Sequence, residues 1–318
     1  MSDWARATDS ASLTVGIASF QRRGHLCRLL GTLADALRSS HYDNVEVIVV
    51  LDGSTDGSDM LVDKFAESYP VPLRSYWQPN TGLAAARNRC VDESRSELVW
   101  LLDDDMRVTS AALDLHRGHD RTIASFLMGP CHISTDNPDL ARAGAFYATR
   151  HASLSFDRRV REPRDCSFAN TSGPSAMLRA HRFDERFRGY GVEDFDLAAR
   201  LLAAGEVIAF DPAAEVIHDF RPSRSERLRK LREEGVNKAM FAKLYPERAS
   251  IVFDPAAGRA ERSLRRVAAG PLARPLSFAA NVISAAATVL PRRLGRHLML
   301  EYADLLAVYS GVSEQARG

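Results

Sequence analysis

The segment "VEVIVVLDGSTDGSDMLVDKFAESY", residues Val45–Tyr69, joins an apolar run to a helical pattern through a short polar turn. The run Val45–Asp52 is rich in β-branched residues, which is typical of a strand buried on both faces of a parallel sheet. The pattern changes to helical spacing after the glycine and serine turn that begins at Gly53. The segment therefore predicts a strand–turn–helix unit of an α/β fold.

The same alternation of strand and helix extends from Leu13 to Asp105. Apolar runs predict further strands at Leu13–Phe20, Leu73–Pro79 and Glu97–Leu102. Helical patterns separate these strands, and the first helix carries its leucines at positions 26, 29, 30, 33 and 37. This order predicts a doubly wound α/β fold with a central, mostly parallel sheet flanked by helices. Ligands of such sheets bind beyond the carboxyl ends of the strands.

After Thr109 the pattern is less regular. It predicts strands at Gly173–Arg179, Glu206–Asp211 and Ala214–Phe220, and helices at Glu193–Gly205 and Ser223–Tyr245. We therefore expect one domain over residues 1–222, with halves at about 13–108 and 109–222, and a helical C-terminal extension over residues 223–318.

The composition narrows the class of protein. The chain has 318 residues, is 45% hydrophobic and carries a net charge of +1, so it lacks the strong basic field expected of a nucleic-acid-binding protein. Its four cysteines are far apart and fit free thiols in a reducing compartment. The polar start of the sequence lacks a signal-peptide pattern, and no apolar run reaches the ~20 residues of a spanning helix. We expect a cytoplasmic protein.

Three consecutive aspartates, Asp103, Asp104 and Asp105, follow an apolar strand in "WLLDDDMRV", residues Trp100–Val108. Neighbouring carboxylates repel one another and need a positive partner when they lie near a core. Side chains two apart on a strand point the same way, so we expect Asp103 and Asp105 to converge and Asp104 to face elsewhere. Two such oxygen donors suit Mn²⁺ or Mg²⁺. The alternative is a solvated acidic turn.

Two turns at predicted strand ends carry further candidates. In "VLDGSTDGS", Asp52 can accept hydrogen bonds from a nucleotide base, and the following helix N-terminus favours anions. The alternative is a plain turn in which Ser, Thr and Asp side chains cap the helix. In "QPNTGLAAARNRC", Gly82 allows close backbone approach, and Arg87 either faces a ligand or lies exposed on an amphipathic helix.

The segment "RFDERFRGYGVEDFDLAARLLAAG", residues Arg182–Gly205, places a Gly-Tyr-Gly loop before a helix that begins with Glu193, Asp194 and Asp196. Acidic residues in a first helical turn often serve only the helix dipole. The same loop and acids also suit a pocket that carries a general base. His218 ends the apolar run after this helix and can complete a metal shell, although a lone histidine there is more often structural.

Taken together, these segments resemble the family 2 glycosyltransferases of the GT-A fold. "VLDGSTDGS" is similar to the family's "VVDDGSTD", "TGLAAARN" to its "G-x-x-x-ARN", and "LLDDDM" to its D-x-D region. The later "GPSAMLRAHRFDERFRGYGVEDFDLAARL" resembles the family's acceptor region and the "GWGGEDDD" segment of β-1,4-galactosyltransferases. The resemblance covers about Leu13 to Phe220, and Leu51 departs from it where the family often has aspartate.

The resemblance implies a metal-dependent, inverting transfer of a sugar from a nucleotide-diphosphate donor, UDP by preference, to an acceptor hydroxyl. Residues 13–108 would bind the nucleotide and residues 109–222 the acceptor. The implied metal ligands are Asp105 and His218, the implied base is Asp194, and Gly191 and Glu193 would lie in the acceptor region. The implied donor-binding residues are Ser19, Asp52, Gly82, Arg87, Asp103 and Asp104. The acceptor would be a glycan, a lipid-linked or a small molecule.

Two other functions compete with this one. A nucleotidyltransferase would share the α/β half and the metal, but it would normally carry a Gly-rich phosphate loop, and "IASFQRRGH" offers only Arg22 and Arg23. A non-catalytic scaffold for nucleotide sugars would not need a base such as Asp194.

From Gly258 the composition shifts to nine arginines and no lysine, against four acidic residues, around two apolar segments. Apolar segments too short to span, flanked by arginines, are the pattern of a chain lying on an anionic membrane surface. We therefore expect peripheral contact of the C-terminal region with the inner face of the cell membrane. The alternative is a helical pair packed on the rest of the protein.

Overall fold

The computed structural model describes residues 11–39, 44–134, 154, 158–219, 222–253, 275–289 and 296–315. Its contacts divide the chain into two compact units. The first is formed by Met1–Glu185 with Asp194–Phe220, and the second by Arg186–Glu193 with Arg221–Gly318. The sequence-based division at residue 222 therefore differs from the observed one over Arg186–Glu193, because the contacts of this loop are with the helical segment that follows residue 222.

The first unit is built on a seven-stranded sheet with the order β3-β2-β1-β4-β8-β6-β9. The strands are β1 (Leu13–Ser19), β2 (Val45–Asp52), β3 (Leu73–Gln78), β4 (Leu98–Asp103), β6 (Phe126–Met128), β8 (Asn170–Pro174) and β9 (Ile208–Phe210). The pairs β1–β2, β2–β3, β1–β4 and β6–β9 are parallel, and β8 runs antiparallel to both of its neighbours. The predicted mostly parallel sheet is confirmed.

Helices cover both faces of this sheet, as predicted. They are α1 (Arg23–Ser39), α2 (Ser58–Ala66), α3 (Leu83–Glu93), α4 (Ser110–Gly118), α5 (Ser175–His181) and α6 (Glu193–Ala203). The leucines of α1 pack with one set of strand side chains, and α3 and α6 pack with the opposite set, so the sheet separates two apolar cores. All four cysteines are free thiols, as expected from their spacing.

A second, three-stranded sheet lies in the same unit and consists of β5 (Met106–Arg107), β10 (Val216–His218) and β7 (Cys131–Ile133). The central strand β10 pairs antiparallel with β5, so that His218 lies opposite Met106. Because Met106 directly follows Asp105 in the chain, this pairing brings the end of β10 to the aspartate triplet.

The predicted strand at Gly173–Arg179 is wrong over most of its length. The strand β8 ends at Pro174, and Ser175–His181 is the helix α5. Proline has no N–H for the sheet ladder, and Ala, Met, Leu and Arg are strong helix formers. The apolar positions that we assigned to a strand thus belong to a short helix.

The second unit contains the helices α7 (Arg224–Leu244), α8 (Pro275–Val289) and α9 (Arg296–Gln315). Its apolar core joins residues of all three helices, among them Leu228, Leu276 and Leu306. The helices α7 and α9 cross in close backbone contact at two glycines. A Cβ built on Gly235 would lie 1.8 Å from the Val308 carbonyl oxygen, and one built on Gly311 would lie 1.8 Å from that of Arg232.

We predict that Gly235→Ala destabilises the helical unit by about 1–3 kcal/mol, because the added methyl group forces the backbones of α7 and α9 apart. Gly31→Ala on α1 is the matched control. A Cβ at Gly31 meets nothing within 4 Å, so the gain in helix propensity should stabilise the chain by up to about 1 kcal/mol. Urea unfolding followed by circular dichroism measures both changes. Equal stability of the two variants would contradict the close crossing.

Candidate functional site

Several candidate residues of the first unit lie at the carboxyl ends of the parallel strands of the large sheet. Ser19 pairs with Leu51, and Ala18 pairs with Asp103. This register brings Ser19, Asp52 and Asp103, at the ends of three adjacent parallel strands, to the same edge. The sequence-based placement of Asp52 and Asp103 at strand ends is confirmed, whereas the roles of all three residues toward a ligand stay predictions.

Asp52 is buried and holds the turn that precedes α3. Its Oδ1 accepts hydrogen bonds from Gln78 Nε2 at 2.8 Å and from the backbone N–H of Thr81 at 2.9 Å, and its Oδ2 accepts one from the N–H of Gly82 at 2.8 Å. Gly82 has a φ of 103°, which side chains rarely permit. In this structure Asp52 therefore shapes the turn around Gly82.

The side chain of Asp56 stabilises the start of α2. Its Oδ1 accepts hydrogen bonds from the backbone N–H and from the hydroxyl of Ser58, while the N-cap residue itself is Gly57. Helix capping by the polar turn, which we gave as the alternative for this segment, is thus present beside the buried Asp52.

Arg87 is buried at 3% exposure and joins two carboxylates. Its Nη2 donates to Asp103 Oδ1 at 2.8 Å, and its Nη1 donates to Asp194 Oδ1 at 2.7 Å. The alternative of an exposed arginine on an amphipathic helix is therefore wrong. The neighbouring Asn88 binds Phe183, because its side-chain amide donates to the Phe183 carbonyl and accepts from the Phe183 N–H.

The expected convergence of Asp103 and Asp105 is wrong. The strand β4 ends at Asp103, and the next two residues form a turn, so the alternation of strand side chains does not extend to them. Instead, Asp104 and Asp105 converge on Arg22. The Nη1 of Arg22 lies 2.9 Å from Asp104 Oδ1 and 2.6 Å from Asp105 Oδ2. Ser19 donates to the other oxygen of Asp104 at 2.7 Å.

His218 meets the same carboxylate from the side of the small sheet. Its Nε2 lies 3.2 Å from Asp105 Oδ2. Burial alone would raise the pKa of Asp105, but His218 and Arg22 outweigh that effect and hold the pKa below its ordinary value. For Asp104, burial and the adjacent Asp105 raise the pKa despite Arg22 and Ser19. The two carboxyl groups are thus electrostatically unequal.

Asp105 and His218 fit a divalent ion in part. Among the described residues, no group of three or more His, Cys, Asp and Glu side chains is arranged to hold a metal. However, Asp105 Oδ1 is buried and has no hydrogen-bond partner in the described part of the chain. Magnesium-type ions are often held by one or two carboxylates together with substrate phosphates and water. The carboxylate and imidazole found here fit an ion bound in that way.

Asp194 is the second residue of α6 and belongs to the first unit. Besides the bond from Arg87, its Oδ2 accepts a hydrogen bond from the Phe168 N–H at 3.1 Å. Burial raises the pKa of Asp194, the nearby Asp103 adds to the rise, and Arg87 opposes it. Asp196 is also buried, but it pairs with Arg200 at 2.7 Å one turn further along the helix. Asp194 and Asp196 thus contact different partners, as their spacing on a helix requires.

In the second unit, the loop before α6 is held by Asn237 of α7. The Nδ2 of this buried asparagine lies 3.0 Å from the Arg188 carbonyl oxygen, 3.2 Å from that of Tyr190 and 2.9 Å from that of Gly191. Val192 has a φ of 80°, a costly conformation for a β-branched residue. Asn237 gave no signal in the sequence, because an asparagine inside a charged helix resembles any surface residue.

Arg22 is the other residue that the sequence patterns underestimated. We considered it only as part of a missing phosphate loop, whereas the structure makes it the cation nearest to Asp104 and Asp105. The signal was its position three residues after the end of β1, at the edge where ligands bind.

Asp219 lies one residue after His218 and pairs with Arg28 and Arg107.

A family model described as glycosyl transferase family 2 matches residues 14–171. The succinoglycan biosynthesis protein ExoM of Rhizobium meliloti is 27% identical over 211 residues, which cover 65% of this chain and 67% of that protein. A pre-mycofactocin glycosyltransferase of Mycobacterium tuberculosis is 29% identical over 219 residues, which cover 65% of this chain and 44% of that protein. This chain therefore matches less than half of the mycobacterial relative.

Two solved structures share the fold. The mannosyltransferase PcManGT from Pyrobaculum calidifontis, in complex with GDP-Man and Mn²⁺, is 19% identical, with a TM-score of 0.62 over 96% of this chain and 90% of that one. S. aureus TarS 1–349, in complex with UDP-GlcNAc, is 16% identical, with a TM-score of 0.52 over 96% and 91%. The family match ends before Arg182–Gly205, so the roles of Gly191, Glu193 and Asp194 stay predictions.

We predict that Arg87→Met destabilises the chain by about 3–5 kcal/mol, because it leaves the carboxylates of Asp103 and Asp194 without their shared cation. Urea unfolding measures the loss. Arg89→Met on the same helix is the matched control, since Arg89 is partly exposed and its ion pair with Glu93 is 3.7 Å long. The control should lose less than about 1 kcal/mol, and equal losses in both variants would argue against the buried ion pairs.

Proposed function

We propose that this chain, a glycosyltransferase of the GT-A fold whose residues 14–171 match the glycosyl transferase family 2 model, transfers a sugar with inversion. The donor would be a nucleotide diphosphate sugar, UDP by preference, and the acceptor a hydroxyl group. The observation that carries the proposal is the cluster at the carboxyl edge, where Arg87 links Asp103 to Asp194 and Asp105 meets His218. The similarity to glycosyltransferases argues against both alternatives, the nucleotidyltransferase and the non-catalytic scaffold.

A divalent cation, Mn²⁺ or Mg²⁺, would be held by Asp105 and His218. When bound, it would stabilise the negative charge that develops on the departing nucleotide diphosphate. The unpartnered Oδ1 of Asp105 supports this assignment, because a buried carboxylate oxygen without a donor is costly unless a cation meets it. The Mn²⁺ in the PcManGT complex supports it as well.

The donor would lie against the ends of β1, β2 and β4, where Ser19, Asp52 and Asp103 meet. Asp52 shapes the turn at Thr81 and Gly82, so this turn would hold the base together with the carboxylate itself. The solved relatives bind GDP-Man in one case and UDP-GlcNAc in the other. Our preference for UDP therefore rests on the resemblance in "VLDGSTDGS" and not on these complexes.

Asp194 would remove the proton from the acceptor hydroxyl. Arg87 and the Phe168 N–H each bind one of its oxygens and fix the orientation of the carboxylate. Each oxygen can accept a further hydrogen bond, so an acceptor hydroxyl could reach it. The raised pKa is also favourable, because a base is most effective when its pKa lies near the working pH.

The acceptor would be recognised by the loop Gly189–Val192, which includes Gly191, and by Glu193. These residues directly precede Asp194 in the sequence. The side-chain NH2 of Asn237, whose two hydrogens are shared among three carbonyl oxygens, fixes the backbone of this loop. A strained loop held by one buried amide is well suited to present a defined surface to a glycan, a lipid-linked or a small-molecule acceptor.

To test this function, we would incubate the protein with UDP-sugars and GDP-sugars and measure the released nucleotide. We expect release that requires Mn²⁺ or Mg²⁺, and Asp194→Asn should lower kcat by about 10²-fold or more while nucleotide affinity changes little, since the amide keeps the shape but cannot accept the proton. Glu193→Gln is the comparison variant and should retain most of its kcat at saturating acceptor, because Glu193 is assigned to acceptor binding and not to proton removal.

Each part of the proposal has its own contrary result. Full turnover in excess EDTA would exclude the role of the cation. Near-normal kcat of Asp194→Asn at saturating acceptor would exclude Asp194 as the base and make Glu193 the next candidate.

We further propose that the C-terminal region touches an anionic membrane surface on the cytoplasmic side. On α8, Phe278 and Val282 lie one turn apart and are 72% and 48% exposed. Arginines flank this helix in the sequence, although those of residues 254–274 and 290–295 lie outside the described residues. No helix of the described segments has the length and apolar character needed to cross a bilayer. An exposed apolar face with basic flanks favours contact at the interface.

Flotation with vesicles tests this contact. The full chain should float with vesicles of an anionic lipid more than with neutral ones, and Phe278→Glu should reduce flotation because a carboxylate on this face opposes insertion. Met60→Glu is the matched control, because Met60 is 67% exposed on α2 in the other unit. Equal flotation of the two variants and the natural chain would exclude α8 as the contact.

A further inference from the structure

The guanidinium of Arg22 is bound to the carboxylate of Asp105, the group that would also hold a divalent ion. Its Nη1 is 2.6 Å from Asp105 Oδ2 and also 2.9 Å from Asp104 Oδ1, so one nitrogen joins the two acids. The same Oδ2 lies 3.2 Å from His218 Nε2. A divalent ion and a guanidinium repel each other strongly at such separations. An ion bound to this carboxylate, whether at Oδ2 or at the unpartnered Oδ1, would therefore compete with the guanidinium.

The backbone on either side of Arg22 forms a turn that is fixed by hydrogen bonds. Gln21 has a φ of 53°, in the left-handed region that is unusual for a residue with a side chain. Its N–H donates to Ser54 Oγ at 3.1 Å, and its side chain donates to Thr55 Oγ1 at 2.8 Å. The N–H of Arg23, two residues after Gln21, donates to Asp56 Oδ2 at 2.8 Å. The turn is therefore held by the β2–α2 loop.

The two sides of this contact differ in their freedom to move. Asp104 and Asp105 are buried in the turn that follows β4, whereas the Arg22 side chain is 27% exposed. An arginine can therefore swing toward solvent, while the carboxylates stay in place. A buried carboxylate pair that has lost its cation is costly, so the arginine stabilises the pair whenever no ion is present.

From these contacts we propose that Arg22 is a resident counter-cation of the Asp104–Asp105 pair, which a divalent ion must displace before it can bind. The proposal rests on the function proposed above, since it concerns the same ion. Arg22 thereby weakens ion binding and keeps the acidic pair stable without a metal. In this role Arg22 stabilises the two carboxylates and does not bind the ion itself.

Mn²⁺ binding tests the proposal without any sugar transfer. The metal-free full chain is titrated with Mn²⁺ in the absence of nucleotide, and free Mn²⁺ is measured by electron paramagnetic resonance. We expect Arg22→Gln to bind Mn²⁺ about tenfold or more tightly than the natural chain, because the competing charge is gone. The increase in melting temperature on adding Mn²⁺ should likewise be larger for Arg22→Gln. This second measurement remains valid if the variant is less stable.

Three further variants show where the effect originates. Arg23→Gln removes an exposed neighbouring charge, and its Mn²⁺ affinity should equal that of the natural chain. Arg22→Lys retains a cation and should bind Mn²⁺ much less tightly than Arg22→Gln. The double variant Arg22→Gln/Asp105→Asn should lose the gain, because the displaced cation and the ion use the same carboxylate.

The outcomes separate this inference from the proposed function. If the natural chain binds Mn²⁺ and Arg22→Gln binds it equally or more weakly, the displacement is refuted while the metal site stands. A gain of the same size in Arg23→Gln would also refute it, because the effect would then be one of overall charge. If neither the natural chain nor Arg22→Gln binds Mn²⁺, with or without UDP or GDP, the metal site and the displacement both fall.

Discussion

The constraint on which the site depends is the crowding of carboxylates at one edge of the sheet. Asp103, Asp104 and Asp105 are consecutive, and all three lie at or just after the end of a strand whose other residues are buried. Such a group is stable only where cations are held close to it. Arg87 and Arg22 supply these cations from the helix α3 and from the turn after β1.

This charge balance divides the triplet into two parts with different chemistry. Asp103 shares Arg87 with Asp194, so the first aspartate is tied to the acid at the start of α6. Asp105 shares Arg22 with Asp104 and lies beside His218, so the later two belong to the candidate ion site. The division arises because β4 ends at Asp103. Asp104 and Asp105 lie in the turn that follows and therefore contact Arg22, whereas Asp103, the last strand residue, contacts Arg87.

The sequence predicts those features that depend on local pattern. The runs Leu13–Phe20 and Val45–Asp52 agree closely with β1 and β2, because a buried parallel strand needs a continuous apolar stretch. The same reasoning placed Asp52 and Asp103 at strand ends. It did not find that Arg22 contacts residues more than eighty positions later, since such contacts depend on strand order and register. It also misjudged Gly173–Arg179, where Pro174 ends the strand and strong helix formers follow.

The peptide bond between Glu193 and Asp194 separates two segments that are stabilised by different contacts. Asp194 is fixed by Arg87 and by the Phe168 N–H, which both belong to the sheet unit. The preceding loop is fixed by Asn237 of α7, in the helical unit. A substitution in α7 can therefore alter the loop while the ion pair of Asp194 keeps its own partners. The loop proposed to recognise the acceptor and the carboxylate proposed as the base are thus held by separate sets of contacts.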